Sequence, residues 1–480
     1  MALTVTIKPL SRRSGPSPGN ALIRAGRLDE ALEHCRRGLV ARPDDPALLR
    51  AAADVLVMKR RYRDALDFYA RAAARAPADQ EVHELLAAVH WKLDEGEEGR
   101  RVLTDFFREH PVQDWDPGPG AGPTILRLAG MDATICRLEE KPKRRPGTHY
   151  RGGHFLTTHL LPPRRYRVLN WTIAEDNINR RAAVPAHDLL LNTIADADIE
   201  PRSLAALSEY LQRYPTIPIV NHPDRVLETT RDGNARRLNT VSGVCFPRTK
   251  RFRQDGATPE AAVAHVKAMG FSYPIIARET GTHTGRTVAL VKTEADLVRY
   301  FARTKGAKGE FYLIQFLDER FTGADGKRYF NKKRVFCIDG RLYPVVSHVD
   351  RVWNVHGHNR LAVMKTSPWM QEQEKTYLAD PAGAVGAGNW RILESLGNLV
   401  GLDFFGIDYT VRGDGTLLIF ELNAAMRHSH DHARNFPYMR PHMDRISAAF
   451  AAMLARKLGA GQSKTPSDRG SNEGGSGLSP

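Results

Sequence analysis

Residues 404–423 read FFGIDYTVRGDGTLLIFELN. Two apolar runs flank an Asp-Gly dipeptide, a strong signal for a tight hairpin because both residues tolerate the positive φ that such turns need. With Asp414 and Gly415 as a two-residue loop, Gly413 faces Thr416 and Asp408 faces Glu421. Directly opposed side chains share one sheet face, with β-carbons about 4.5–5.5 Å apart. Two ionised carboxylates at that separation repel unless a cation lies between them or one is protonated. Asn423, two residues beyond Glu421, extends the same face with a neutral oxygen. Oxygen-only donors suit Mg²⁺, which takes one or two carboxylates plus phosphate oxygens and waters. The other reading of Asp408, Glu421 and Asn423 is a surface acidic patch beside Lys or Arg.

Upstream, the pattern from about Arg251 mixes helices and strands. A helix over TPEAAVAHVKAMG precedes the strand YPIIARET, the loop GTHTG and the strand RTVALV. A helix over EADLVRYFART, the strand EFYLIQFLD and the strand pair in RVFCIDGRLYPVVSHVD follow. A long helix around NWRILESLGNLVG leads into the hairpin, and a helix over HMDRISAAFAAMLARKLG ends the unit.

Four of these pieces, in this order, resemble the ATP-grasp ligases, in the branch of glutathione synthetase and ribosomal-protein glutamate ligase. YPIIARETGTHTG resembles the strand and mobile phosphate-covering loop. YLIQFLD is similar to the strand that contacts adenine through its backbone, and KKRVFCIDGRLYP to the Lys-Arg strand. The Asp, then Glu-x-Asn, of the hairpin resembles the family's metal-binding strand pair. The resemblance covers roughly residues 217–458.

The resemblance implies a carboxylate–amine ligase that uses ATP and Mg²⁺ and passes through an acylphosphate. It assigns Asp408, Glu421 and Asn423 to the metal and Arg334 to catalysis and phosphate charge. Lys333 alternates to the opposite strand face. Gln315, Phe316 and Leu317 are assigned to adenine. Gly281, Thr282, His283, Thr284 and Gly285 are assigned to the phosphates, the glycines letting backbone amides approach and the threonines offering hydroxyls. One position departs from the pattern: Arg278 stands where the family has a phosphate-binding lysine. A guanidinium still binds phosphate bidentately. Arg360, in RVWNVHGHNR, and Arg427, in MRHSHDH, are the candidates for contact with the acceptor. His428, His430 and His432 read as a polar lip around the substrate in preference to a zinc site. A non-catalytic nucleotide-binding and protein-interaction module on the same scaffold is the alternative function.

The first third of the chain repeats. Gly26 begins GRLDEALEHCRRGLVARPDDP and Arg60 begins RRYRDALDFYARAAARAPADQ, and Pro43, Pro77 and Pro111 keep the same 34-residue spacing. Helical pairs ended by a proline fit this period. A third, degenerate unit has Gly99 and Arg100 in place of the Ala-Leu pair. The stretch resembles the tetratricopeptide repeat family, which implies a peptide or protein partner. A packing or dimerisation module without a ligand is the other reading.

The expected fold class is therefore multidomain: an all-α helical repeat (19–111), a linker (112–123), an α/β Rossmann-like domain (124–246) and an α+β ATP-grasp domain (247–459). A polar, Gly- and Ser-rich tail (460–480) is expected to be disordered.

Composition narrows the rest. At 42% hydrophobic and 26% charged, the 480 residues have an ordinary globular balance. The net charge of +15 suits an acidic ligand. The basic clusters carry no aromatic platform or zinc-finger spacing, which argues against nucleic acid. Four scattered cysteines without C-x-x-C argue for free buried thiols. No signal-peptide core and no membrane-spanning run is visible, so a soluble, cytoplasmic protein is expected, acting on small-molecule or peptide acids and amines.

Overall fold

The structure, a computed structural model, describes residues 18–114, 122–161, 165–173, 178, 184–254, 258–282, 287–304, 309–424 and 426–462. The expected tail from 463 onward lies outside them. So do His283, Thr284 and Gly285.

Six helices open the described residues: α1 (Pro18–Ala25), α2 (Leu28–Ala41), α3 (Pro46–Met58), α4 (Tyr62–Arg75), α5 (Gln80–Lys92) and α6 (Gly96–Glu109). The 34-residue period recurs in the caps. Asp45 accepts from the amides of Ala47 and Leu48 at 3.0 and 3.1 Å, and Asp79 from Val82 at 3.2 Å, satisfying helix-end donors that have no intrahelical partner. The degenerate unit still forms a helix pair. A β-carbon on Gly99 would lie 2.8 Å from the Ala87 carbonyl and 3.0 Å from the Trp91 ring, so the glycine lets α6 approach α5 more closely than alanine could.

A five-stranded sheet follows, in the order β1 (Val112–Asp114), β5 (Arg167–Ile173), β2 (Thr124–Gly130), β6 (Leu189–Asn192), β7 (Ile219–Val220). β1 is antiparallel to β5 and the other pairings are parallel. The segment expected as linker thus begins with an edge strand. The hairpin of β3 (Ile135–Glu139) and β4 (Gly147–Arg151) projects separately and docks on α5. Helix α7 (Pro201–Arg213) and the short α8 (Pro223–Leu227) and α9 (Arg231–Leu238) complete this part. β8 (Val244–Cys245) leaves it and pairs with the last sheet.

A four-stranded sheet of β9 (Thr249–Arg253), β10 (Ile275–Glu279), β11 (Ala289–Val291) and β12 (Glu310–Gln315), in the order β11-β10-β12-β9, packs on α10 (Pro259–Ala268) and α11 (Glu294–Arg303) around its own core of Phe252, Phe301 and Phe311. The last sheet contains β13 (Arg320–Thr322), β14 (Arg328–Ile338), β15 (Arg341–Asp350), β16 (Phe404–Val411) and β17 (Leu417–Asn423). Around it lie α12 (Gly357–Met364), α13 (Pro368–Ala379), α14 (Pro381–Val385), α15 (Ala387–Val400) and α16 (Arg440–Gln462). This sheet shares one continuous core with the five-stranded sheet. Among the described residues no helix is long and apolar enough to cross a membrane. All four cysteines are free thiols, three of them buried.

The repeats are not a free-standing module. Asp54 on α3 and Glu84 on α5 are both buried, and the β3–β4 hairpin satisfies them. Arg145 bonds Asp54, while Thr148 and Tyr150 donate to Glu84 at 2.6 and 2.8 Å. Cys136, Tyr150 and Met131 enter one apolar cluster with Leu103, Phe106 and Phe107 of α6. This face of the repeats is covered by the chain's own hairpin.

Candidate functional site

Asp408 faces Glu421 and Gly406 faces Asn423, as expected, but by a different route. The loop holds three residues, not two: Arg412 pairs with Thr416, and Gly415 takes φ +84°. Asp414 accepts from the Thr416 amide and hydroxyl at 3.0 and 2.6 Å. That loop alone would place Asp408 opposite Phe420. A bulge between Asp408 and Tyr409 leaves Phe420 unpaired and restores the opposition to Glu421. Arg231, at the start of α9, donates to the Phe420 carbonyl at 2.7 Å and to Glu421 at 2.9 Å. The bulge is therefore pinned from the neighbouring domain.

Asp408 is 1% exposed. Arg334, directly opposite on β14, gives it a bidentate pair, with Nε to Oδ1 at 2.6 Å and Nη2 to Oδ2 at 2.9 Å. Lys332, two residues earlier on the same strand face, lies 3.1 Å from Oδ2. Burial opposes ionisation, but the two cations outweigh it and hold the Asp408 carboxyl well below its ordinary range. Lys333 sits on the opposite face, its ammonium 5.9 Å from the Tyr377 ring centre, and burial lowers it to about 8.

The strand pair forms one wall of a cleft of about 1210 Å³. Across it lies β10, where Arg278 faces the same space. Burial and the nearby Arg231 push its guanidinium down to about 10. Arg278 bonds the Thr282 carbonyl, and the Thr282 hydroxyl donates to Glu279 at 2.7 Å, so the loop folds back over its strand. Gly281, at φ +65°, would carry a β-carbon 2.9 Å from Ile199; glycine is needed there for the loop to touch the preceding domain. Gln315, Phe316 and Leu317 also line the cleft. The Gln315 amide donates to Arg248 at 2.9 Å and the Leu317 carbonyl accepts from Glu319 at 3.1 Å, so both groups are already engaged. Trp353 meets the Phe316 ring edge-on at 6.0 Å.

Arg427 lines the cleft and pairs with Asp431 at 2.6 Å. Arg360 does not belong to the site. It is 1% exposed, bonds Glu374 and lies 4.3 Å from the Phe436 ring centre. Of RVWNVHGHNR, residues 353–357 line the cleft, whereas the chain from Gly357 onward forms α12, and its arginine is a core group. His428 is buried, 3.0 Å from the Ser447 hydroxyl, and His430 stacks on His159 at 4.4 Å. Burial and His430 push His428 down to about 3.

The sequence reading missed Lys332, Arg231 and Arg251. Strand alternation from Arg334 would have found Lys332. Arg251 on β9 gathers Asp198 at 2.6 Å, Asp232 at 3.2 Å and Glu310 at 2.7 Å, tying the four-stranded sheet to the α/β domain. No local pattern announces it or Arg231.

Among the described residues no group of three or more His, Cys, Asp or Glu could hold a metal by itself. The Asp408–Glu421–Asn423 face supplies two carboxylates and an amide, a donor set that fits Mg²⁺ when phosphate oxygens complete the shell.

No curated protein matches the sequence. The fold is similar to the D-alanine–D-alanine ligase of Bacillus anthracis complexed with ATP, at 9% identity and TM-score 0.41, covering 72% of this chain and 100% of that one. It is similar to D-alanyl-alanine synthetase A of Vibrio cholerae O1 biovar eltor, at 11% identity and TM-score 0.41, covering 71% and 99%. It is also similar to a RimK domain protein ATP-grasp of Sphaerobacter thermophilus, at 13% identity and TM-score 0.37, covering 68% and 99%. The tetratricopeptide repeat model matches residues 21–104, and with the helix pairs α1 to α6 the N-terminal region is a run of these repeats.

Proposed function

We propose that the chain is an ATP- and Mg²⁺-dependent carboxylate–amine ligase acting through an acylphosphate. The observation that carries this reading is the convergence in one cleft of Asp408, Glu421 and Asn423 with Arg334 and Lys332, and of Arg278 on the facing sheet. That is an oxygen-lined face set among phosphate-binding cations, with no covalent nucleophile required. A substrate carboxylate attacks the γ-phosphate, ADP leaves, and an amine displaces inorganic phosphate from the acylphosphate with loss of a proton. Asp408 holds Nε and Nη2 of Arg334, so the guanidinium is fixed before substrate arrives and Nη1 remains to meet phosphate oxygens. Lys332 adds a second cation on the same face. Preorganised charge of this kind is the main lever in phosphoryl transfer. Mg²⁺, held by Asp408, Glu421 and Asn423 together with the nucleotide, supplies charge neutralisation of the phosphates.

ADP release measured over paired acids and amines, with mass analysis of the product, tests the reading. The expected result is ADP formation that needs both partners and yields an amide. A nucleotide-sensing module is the second reading, favoured by the commitment of both Asp408 oxygens to cations. ATP binding with no turnover under any acid–amine pair selects it.

Two further outcomes follow from the same geometry. Arg278→Ala is expected to weaken ATP binding about 10- to 150-fold, the worth of a charge-assisted hydrogen bond of about 1.5–3 kcal/mol. Arg278→Lys is expected to lose less than tenfold, and calorimetry reads both. Mn²⁺ is expected to bind measurably only with nucleotide present, because the protein donors alone do not complete a site. Electron paramagnetic resonance of Mn²⁺ with and without ATP checks this, and tight binding to the nucleotide-free protein would count against the assignment.

A further inference from the structure

Part of the cleft wall comes from the repeats and the hairpin they hold. Arg100 on α6 and Arg137 on β3 both line it. Along β3 the side chains alternate: Cys136 and Leu138 pack with the repeat helices, which leaves Ile135 and Arg137 toward the cleft.

These two arginines differ from the cleft's other cations. Lys332 and Arg334 lie on Asp408, Arg231 on Glu421 and Arg427 on Asp431. Arg278 is the one already given to nucleotide phosphate. The exposed side chain of Arg137 has no hydrogen bond or ion pair with any described residue. Arg100 donates Nη1 to the Asp132 carbonyl at 2.9 Å, with a longer contact to the Met131 carbonyl at 3.4 Å, and meets no carboxylate among the described residues. Its guanidinium is thus fixed without being neutralised. Behind β3 the hairpin is anchored by Arg145 on Asp54 and by Thr148 and Tyr150 on Glu84. Uncompensated positive charge in a cleft with low-dielectric walls raises the local concentration of anions, and a planar guanidinium suits carboxylate and phosphate groups.

We propose that Arg100 and Arg137 form an anion-binding subsite that takes a carboxylate or phosphate group of the acceptor substrate. The repeats then serve as a wall of the substrate site. The assignment to the acceptor rests on the ligase reading; the subsite itself does not.

Calorimetry on the full chain tests it, with a blocked tri-aspartate peptide and inorganic phosphate as separate probes. At least one probe is expected to bind, with Arg137→Met and Arg100→Met each weakening it tenfold or more. Arg101→Met, whose arginine pairs with Glu98 on the same helix, is expected to change it less than twofold. ATP affinity is expected to stay within twofold in all three, which shows that the fold is intact. A response to the peptide alone assigns a carboxylate, and to phosphate alone a phosphoryl group. Binding of neither probe, or binding indifferent to both arginines, overturns the subsite. Arginine-dependent probe binding without ADP release from any acid–amine pair would leave the subsite standing and remove the ligase reading. ADP release with unchanged acceptor KM in both variants would keep the ligase reading and overturn the assignment of the subsite to the acceptor.

Discussion

Asp408→Ala is expected to lower the stability of the folded chain by about 3–5 kcal/mol and to reduce ADP release about a hundred- to a thousandfold or more. The first effect comes from what the substitution leaves behind. Arg334 and Lys332 both rest on this one carboxylate, and removing it strands two cations on a largely buried strand face. The second effect comes from position: the guanidinium loses the bidentate hold that aims it, and the proposed metal face loses one of its two carboxylates. Asp408→Asn separates the two, since it keeps the shape and one acceptor oxygen. Urea unfolding and ADP release measured on both variants give the comparison. Full turnover in Asp408→Asn would discard the proposed site. The pH dependence has a definite sign. The folded-state carboxyl is held below its ordinary range, so its contribution is present above the unfolded value near pH 4 and is lost as pH falls through the acid range below it. The stability gap between wild type and Asp408→Asn is therefore expected to narrow on acidification.

The hairpin that announced this residue was legible in the sequence for a partly accidental reason. An Asp-Gly pair does form a two-residue turn in this protein, at Asp339 and Gly340, where both φ values are positive and Ile338 pairs with Arg341. At Asp414 the neighbouring Gly413 joins the loop and shifts the register by one. The bulge at Phe420 shifts it back, and what stabilises that bulge is Arg231, 189 residues away. Local turn chemistry therefore reached the right opposition through two compensating departures. The repeats show the same division. Their period is visible because each helix pair is written in contiguous residues, whereas the covering of Asp54 and Glu84 depends on a hairpin that begins after the repeats have ended. Long-range charge partners carry no periodicity, so Arg231, Arg251 and the role of Arg137 had to come from the fold.

Arg360 is the instructive misplacement, and its partner yields the second large effect. A polar run with two histidines and an arginine reads as a solvated loop, yet from Gly357 onward it forms a helix whose arginine is 1% exposed and whose partner Glu374, on α13, is fully buried. Glu374 accepts from the Ser347 amide at 2.8 Å and the Tyr438 hydroxyl at 2.7 Å as well as from Arg360. Glu374→Ala is therefore expected to cost about 3–5 kcal/mol, because it leaves a buried guanidinium against Met364, Met439 and the Phe436 ring with no counter-charge. Replacing both members, Arg360→Met with Glu374→Leu, is expected to recover a large part of that loss, since an apolar pair of similar volume carries no desolvated charge. The Ser347 amide and Tyr438 hydroxyl would still lose an acceptor, which sets a limit on the recovery of about 1–3 kcal/mol per stranded group. Urea unfolding of Arg360→Met, Glu374→Leu and the double variant measures the coupling, with Glu374→Ala alongside. An acceptor-binding arginine would behave otherwise: Arg360→Met would raise the acceptor KM while leaving stability nearly unchanged, and Glu374→Ala would be mild. The core placement predicts the opposite order, with the stability loss in Glu374→Ala exceeding that of the double variant.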